Sequence, residues 1–195
     1  GTALITACTS NPPAEKDITA KEEAPSQSAL FAYPLPTSME VTETLQSVNV
    51  AYLPSLKNST GNIQKYVTTR QKALNLGVYT ADICYALTYN MRQDAIKYLE
   101  VTNKLLDELG IISPFTKQIV SGFNDDNMNQ DSILIIINDS FKDTYSYLRS
   151  NNLEYINLLV ISGSFIEGLY ILTQIAPPDN GTLLKVIAGE KNVLN

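Results

Sequence analysis

Ile133-Leu134-Ile135-Ile136-Ile137-Asn138-Asp139-Ser140-Phe141-Lys142-Asp143-Thr144-Tyr145-Ser146-Tyr147-Leu148 is the stretch on which the fold turns. Its first five residues, taken alone, suit a buried strand. Ile133, Ile136, Ile137, Ser140, Phe141, Thr144, Tyr147 and Leu148 then continue at spacings of three and four, the period of one helix face. Strands usually end after about 5–6 residues, so length and period together assign an amphipathic helix. Asp139 and Asp143 lie opposite its isoleucine stripe and read as a solvated face.

The flanks extend this reading. Upstream, Asp125-Asp126-Asn127-Met128-Asn129-Gln130-Asp131 resembles the front of a calcium loop. Gln130 stands where the turn needs Gly, and Ile136 where the bidentate Glu belongs. A polar turn, with Asn129 or Asp131 capping the helix, is the simpler assignment. Downstream, Leu153 to Ile175 forms a second helix, stopped by Pro177-Pro178. Its apolar run, Leu158 to Ala176, approaches the ~20 residues of a membrane span. Glu167, Ser162, Ser164, Gln174, Gly163 and Gly168 interrupt it without a basic flank, and a mid-helix charge costs about 2.5–3.5 kcal/mol on insertion. The expectation is a central bundle helix buried on most sides. Asp179 or Asn180 can cap a last helix to about Leu194, which lacks a stop signal, so a chain continuing past Asn195 is expected.

Toward the N-terminus, Ile63 to Asn90 carries two apolar stripes. Gly77 in its middle signals a kink or a close helix crossing. Asp94 to Leu109 follows, stopped by Gly110; Ser113-Pro114 starts a helix to about Phe123. Thr37, with Glu40 three residues later, caps a short helix to about Ser47, and Pro54, Asn58 and Gly61 mark a loop. The sum is an all-α, compact multi-helix bundle of about six to seven helices, mostly antiparallel. A tetratricopeptide-like array is the minor alternative, suggested by Leu76-Gly77, Tyr79 and Ala81 followed by Ala95 and Tyr98. A single such pair has no neighbour to stack on.

Composition removes several functions. The net charge is −6 without a basic block, which argues against nucleic acid and anionic headgroups as partners. The chain has no His and no Trp. It lacks the commonest general base near neutral pH, and the commonest zinc and iron ligand. Its glycines are scattered singly, so no phosphate loop is present, and Gly163-Ser164-Phe165 is no nucleophile elbow. Neither a cofactor nor a metal is expected, and an enzyme is not. Cys84 lies in an apolar pattern and reads as a small core residue.

Two acids stand out because each is embedded in a helix that is apolar on more than one side. Asp82 has Tyr79 and Tyr85 at helical spacing; Glu167 has Tyr170. A buried carboxylate must be paired, hydrogen-bonded or protonated. Tyrosine hydroxyls can satisfy both acids, which makes Tyr79, Asp82, Tyr85, Glu167 and Tyr170 either a structural network or the lining of an inter-helical pocket for a small polar or cationic ligand.

At the start, Leu4-Ile5-Thr6-Ala7-Cys8 has the order that lipoprotein processing reads, with Cys8 as the lipidated residue. Residues 1–8 are then the remnant of a signal peptide, 9–36 a disordered tether rich in Pro, Ser, Ala, Glu and Lys, and 37–195 a single helical domain. An acylated Cys8 excludes a disulfide with Cys84.

These residues, with Tyr33-Pro34-Leu35-Pro36-Thr37-Ser38-Met39-Glu40-Val41, Ala73-Leu74-Asn75-Leu76-Gly77-Val78-Tyr79-Thr80-Ala81-Asp82 and Ser164-Phe165-Ile166-Glu167-Gly168-Leu169-Tyr170, resemble a family of uncharacterised helical lipoproteins of Bacteroidetes-type bacteria. The resemblance spans most of the chain and implies an all-helical envelope protein; it carries no activity and no catalytic residue. The expected setting is the outer membrane, reached through lipidated Cys8. No acidic cluster directly follows Cys8, which favours the periplasmic face. The expected role is a protein-interaction or scaffold module, with small-ligand binding around Asp82 and Glu167 as the alternative.

Overall fold

The capping box Thr68-Thr69-Arg70-Gln71 starts the first long helix. The Thr68 hydroxyl accepts from the Gln71 N–H at 3.2 Å, while Gln71 Oε1 accepts from the Thr68 N–H at 3.0 Å. A computed structural model describes residues 50–111, 128–176 and 179–189, all within a unit of residues 34–195 that is distinct from residues 1–33. The expected lipobox, tether, helix near 37–47 and helix near 114–123 lie outside the described residues. Among the described residues there are helices and no strands. The protein is an all-α helical bundle.

Among the described residues five α-helices carry it: α1 (Thr69–Thr88), α2 (Arg92–Glu108), α3 (Gln130–Ser150), α4 (Glu154–Ile175) and α5 (Gly181–Gly189). The isoleucine run lies in α3, where Ile133, Ile137 and Leu148 are buried. Asn129 caps α3 by accepting from the Ser132 N–H at 2.8 Å, and Asn180 caps α5 by accepting from the Leu183 N–H at 3.0 Å. The expected long helix from Ile63 is shorter than its pattern. Ile63 and Tyr66 belong to a 3₁₀ turn and its exit, and the capping box resets the chain at Thr68.

Two tight turns join α1 to α2 and α3 to α4, and each is closed by asparagine in the left-handed region. Asn90 and Asn152 both have φ 58°. In each, the residue after the asparagine donates its N–H five residues back, Met91 to Ala86 and Leu153 to Leu148, both at 2.8 Å. This Schellman arrangement satisfies carbonyls that a helix end leaves bare. Asparagine tolerates positive φ better than other side-chain-bearing residues. Asn90→Val is expected to cost about 1–2 kcal/mol, whereas Asn90→Gly leaves stability unchanged or raised; urea denaturation of the two variants measures the difference.

Within the first of these pairs the helices run antiparallel. Lys72 near the start of α1 meets Glu108 at the end of α2, at 2.9 Å. The principal packing, however, is between α1 and α4, which are not neighbours in sequence and run in the same direction. Gly77 lies against Val160 and Ser164, and further along Tyr85 clusters with Ile171 and Leu172. A stacked array pairs successive repeats, so this long-range parallel pairing identifies a bundle instead.

Glycine makes that pairing possible. A Cβ at Gly77 would overlap the Val160 carbonyl oxygen, and one at Gly163 would overlap the Leu74 carbonyl oxygen. The two backbones therefore touch directly, each helix supplying the gap for the other. Around the crossing lies the main core, including Leu76, Tyr79, Ile83, Leu105, Ile137 and Val160. A smaller core at the far end gathers Tyr85, Ile171, Leu172, Ile175 and Leu183.

The other side of α4 differs from expectation. Tyr155, Leu158, Ile166 and Tyr170 are exposed, Ile166 by 61%. By length and composition α4 could cross a membrane; it is apolar on nearly all sides, yet it is not buried on most of them. It has one face against α1 and another open.

Candidate functional site

Residues 50–66 form a strap of two short 3₁₀ turns, Pro54–Leu56 and Thr60–Lys65, laid over α1 and α2. Three side chains of α1 hold it. Tyr85 Oη accepts from the Leu53 N–H at 3.0 Å, Asp82 Oδ2 accepts from the Asn58 N–H at 3.1 Å, and Tyr79 Oη donates to the Ser59 carbonyl at 2.8 Å. Residues 79, 82 and 85 are spaced by three, so they present one helix face. All three grip backbone atoms of the strap. This corrects the expectation that tyrosine hydroxyls satisfy the acids: Tyr79 and Tyr85 are committed to the strap, and a backbone amide meets Asp82.

The strap also contributes a buried cation. The Lys57 side chain is 3% exposed, with Nζ 2.8 Å from Asp94 Oδ2. Nζ sits 4.4 Å from the centre of the Tyr98 ring and 5.2 Å from that of Tyr52, within cation–π range. Tyr52 Oη donates to the same Asp94 oxygen at 2.9 Å, and Lys97 reaches Oδ1 at 3.1 Å. Hydrogen bonding from Lys57, helped by Tyr52 and Lys97, holds the Asp94 carboxyl down at about 2. Tyr52 also packs with Tyr85 and Tyr89 in a three-ring cluster, centres 5.2–5.4 Å apart.

Asp82 is in the opposite electrostatic situation. It is completely buried, and among the described residues Oδ1 has no hydrogen-bond partner. Burial first, and then the nearby Glu167 charge, push its carboxyl up to about 9, against the pull of the Asn58 amide and Lys57. Asp82 is therefore a neutral acid at pH 7. Burial likewise lifts Glu167 to about 7 and drives the Tyr79 and Tyr98 hydroxyls upward.

An open cleft of about 460 Å³ lies between the strap, α1 and α4. Asn58, Asn62, Tyr66, Asn75, Glu167 and Tyr170 are among its lining residues. Asn58 is fixed on the rim by donating to Tyr66 Oη at 2.9 Å and accepting from Asn62 Nδ2 at 2.6 Å. Of the five expected site residues, Glu167 and Tyr170 reach this cleft, while Tyr79, Asp82 and Tyr85 lie beneath it as anchors of its rim. Lys57, Asn58, Asn62, Tyr66 and Asp94 were not expected. Only Asn58 had a signal, as part of the polar loop between Pro54 and Gly61.

Among the described residues no group of His, Cys, Asp and Glu is placed to hold a metal ion. Asp139, paired with Lys142 at 3.1 Å, and Asp143 are exposed on α3. Cys84 packs against the main core, where it contributes, after burial, to raising the Tyr145 hydroxyl. Comparison with protein-family models, curated proteins and solved structures finds no match to this chain.

Proposed function

We propose that this chain is a lipid-anchored protein-interaction module of the bacterial cell envelope, with the outer face of α4 as its contact surface. The observation that carries this reading is the row of exposed Tyr155, Leu158, Ile166 and Tyr170 on one side of a helix. From Tyr155 to Thr173 the only charged residue is Glu167. The exposed hydroxyls of Ser162 and Thr173 donate back to the Leu158 and Tyr170 carbonyls of the same helix, both at 2.7 Å. Little on this face competes for water, so covering it costs little desolvation. Aromatic and large aliphatic residues free of charge are what the centre of a protein interface uses. The face has no Lys or Arg to meet anionic headgroups, which favours a protein over a lipid surface. Anchorage through Cys8, outer-membrane placement and a periplasm-facing position rest on the Leu4-Ile5-Thr6-Ala7-Cys8 motif and its tether.

A photo-reactive benzoylphenylalanine at Leu158 or Ile166, in the membrane-bound protein, is expected to form a discrete protein adduct that Leu158→Glu abolishes. The same probe at exposed Lys142 is expected to give none. Adducts to lipid alone, or equal labelling at Lys142, would overturn the reading.

A further inference from the structure

Among the described residues, the cleft between the strap, α1 and α4 has one acid, two tyrosines and no available base. Its described lining includes Glu167, Tyr66 and Tyr170, and the one cation among these residues, Lys57, is turned away to Asp94. Glu167 has no hydrogen-bond or ion-pair partner among the described residues, although it is half-buried. A carboxylate withdrawn from water without a partner is a strong attractor for a positive charge.

The same molecule already shows how it receives an ammonium group. Lys57 is held by one carboxylate, Asp94, and two tyrosine rings, Tyr52 and Tyr98. The cleft repeats that set of groups with Glu167, Tyr66 and Tyr170, and adds the side chains of Asn62 and Asn75 on its rim. We propose that the cleft is a binding site for a small organic ammonium ion, with Glu167 as its counter-charge and Tyr66 and Tyr170 as its aromatic walls. Its volume of about 460 Å³ lies within the range of small-molecule sites, about 300–1,000 Å³.

Binding a cation favours ionised Glu167, which burial holds near 7, so uptake of the ammonium releases a proton near neutral pH. The charged and titratable groups around it are Asp82 on α1, Tyr98 on α2, Lys57 and Tyr66 on the strap, and Tyr170 on α4 itself. Asp82 remains neutral below about 9, and the Lys57 charge is balanced by Asp94. Glu167 alone among these carboxyls changes charge between pH 6 and 8.

The test is calorimetric titration of the full chain with putrescine, using 1,4-butanediol as an uncharged probe of equal length. Saturable putrescine binding that strengthens from pH 6 to pH 8, with proton release visible as a buffer-dependent heat, is expected. Glu167→Gln is expected to weaken it by about ten-fold or more, since a charge-assisted contact is lost. Tyr170→Ala, at an exposed position, weakens it several-fold and keeps the proposal testable should the glutamine variant misfold. No saturable heat, equal binding of butanediol, or unchanged affinity in either folded variant would overturn the proposal.

Discussion

Gly77→Ala and Gly163→Ala are each expected to destabilise the bundle by about 3 kcal/mol or more, near or beyond the upper end for overpacking a tight core. Helix propensity alone points the other way, because alanine in a helix interior is worth about 1 kcal/mol over glycine. The crossing decides which effect wins. A methyl group at either position runs into the backbone of the opposite helix, at the Val160 or Leu74 carbonyl. Backbone cannot rotate away as a side-chain tip can, so α1 and α4 must separate along their length. Gly168, one turn and a residue further along α4, is the control. Nothing lies within 4 Å of a Cβ built there, and Gly168→Ala is expected to gain about 0.5–1 kcal/mol. Thermal denaturation of the three variants suffices. Equal effects at Gly163 and Gly168 would mean that the helices are not in backbone contact.

Asp82→Asn is expected to raise the melting temperature at pH 8 by several degrees and to flatten its dependence on pH. The folded protein keeps a proton on Asp82 up to about 9, whereas the unfolded chain releases it near the ordinary aspartate value of about 3.9. Stability from this group is therefore complete below about pH 4, and falls as pH rises toward about 9 with a slope of up to about 1.4 kcal/mol per pH unit. Glu167, lifted to about 7, adds to the decline over the lower part of that window. Asp94 has the opposite sign: held at about 2, it contributes stability above about pH 4 that is lost as acid protonates it. Together these three groups contribute most stability near pH 4, below the usual optimum range of about 5–8. Asparagine at position 82 reproduces the neutral acid, and its carbonyl can still accept from the Asn58 amide. A fall in melting temperature at pH 8 for this variant would show that Asp82 is ionised in the fold.

The helical class was legible because sixteen residues from Ile133 to Leu148 keep one period, and local motifs at Asn129 and Asn180 do what their positions suggest. The boundary at Thr68-Thr69-Arg70-Gln71 was not legible, because Ile63 and Tyr66 continue the apolar phase of α1 and mask it. Long-range pairing was not legible. Gly77 announced a close crossing without naming its partner, which lies more than eighty residues away. The site divided along the same line. Asp82 and Glu167 stand out as acids in apolar helices, so burial and polarity conflict within one segment of sequence. Lys57, in Pro54-Ser55-Leu56-Lys57-Asn58-Ser59, gives no such sign. Its burial depends on Tyr52, Asp94 and Tyr98, which converge only when the strap crosses two helices.

The grip of α1 on the strap has an evolutionary consequence. Tyr79, Asp82 and Tyr85 hold the main-chain groups of Ser59, Asn58 and Leu53, which every residue but proline at the two donor positions supplies. Substitutions at the outward positions Ser55 and Ser59 therefore change what the cleft presents without loosening the segment that carries them. The scaffold can diversify its rim while leaving its frame alone, as a tool keeps one handle through many bits.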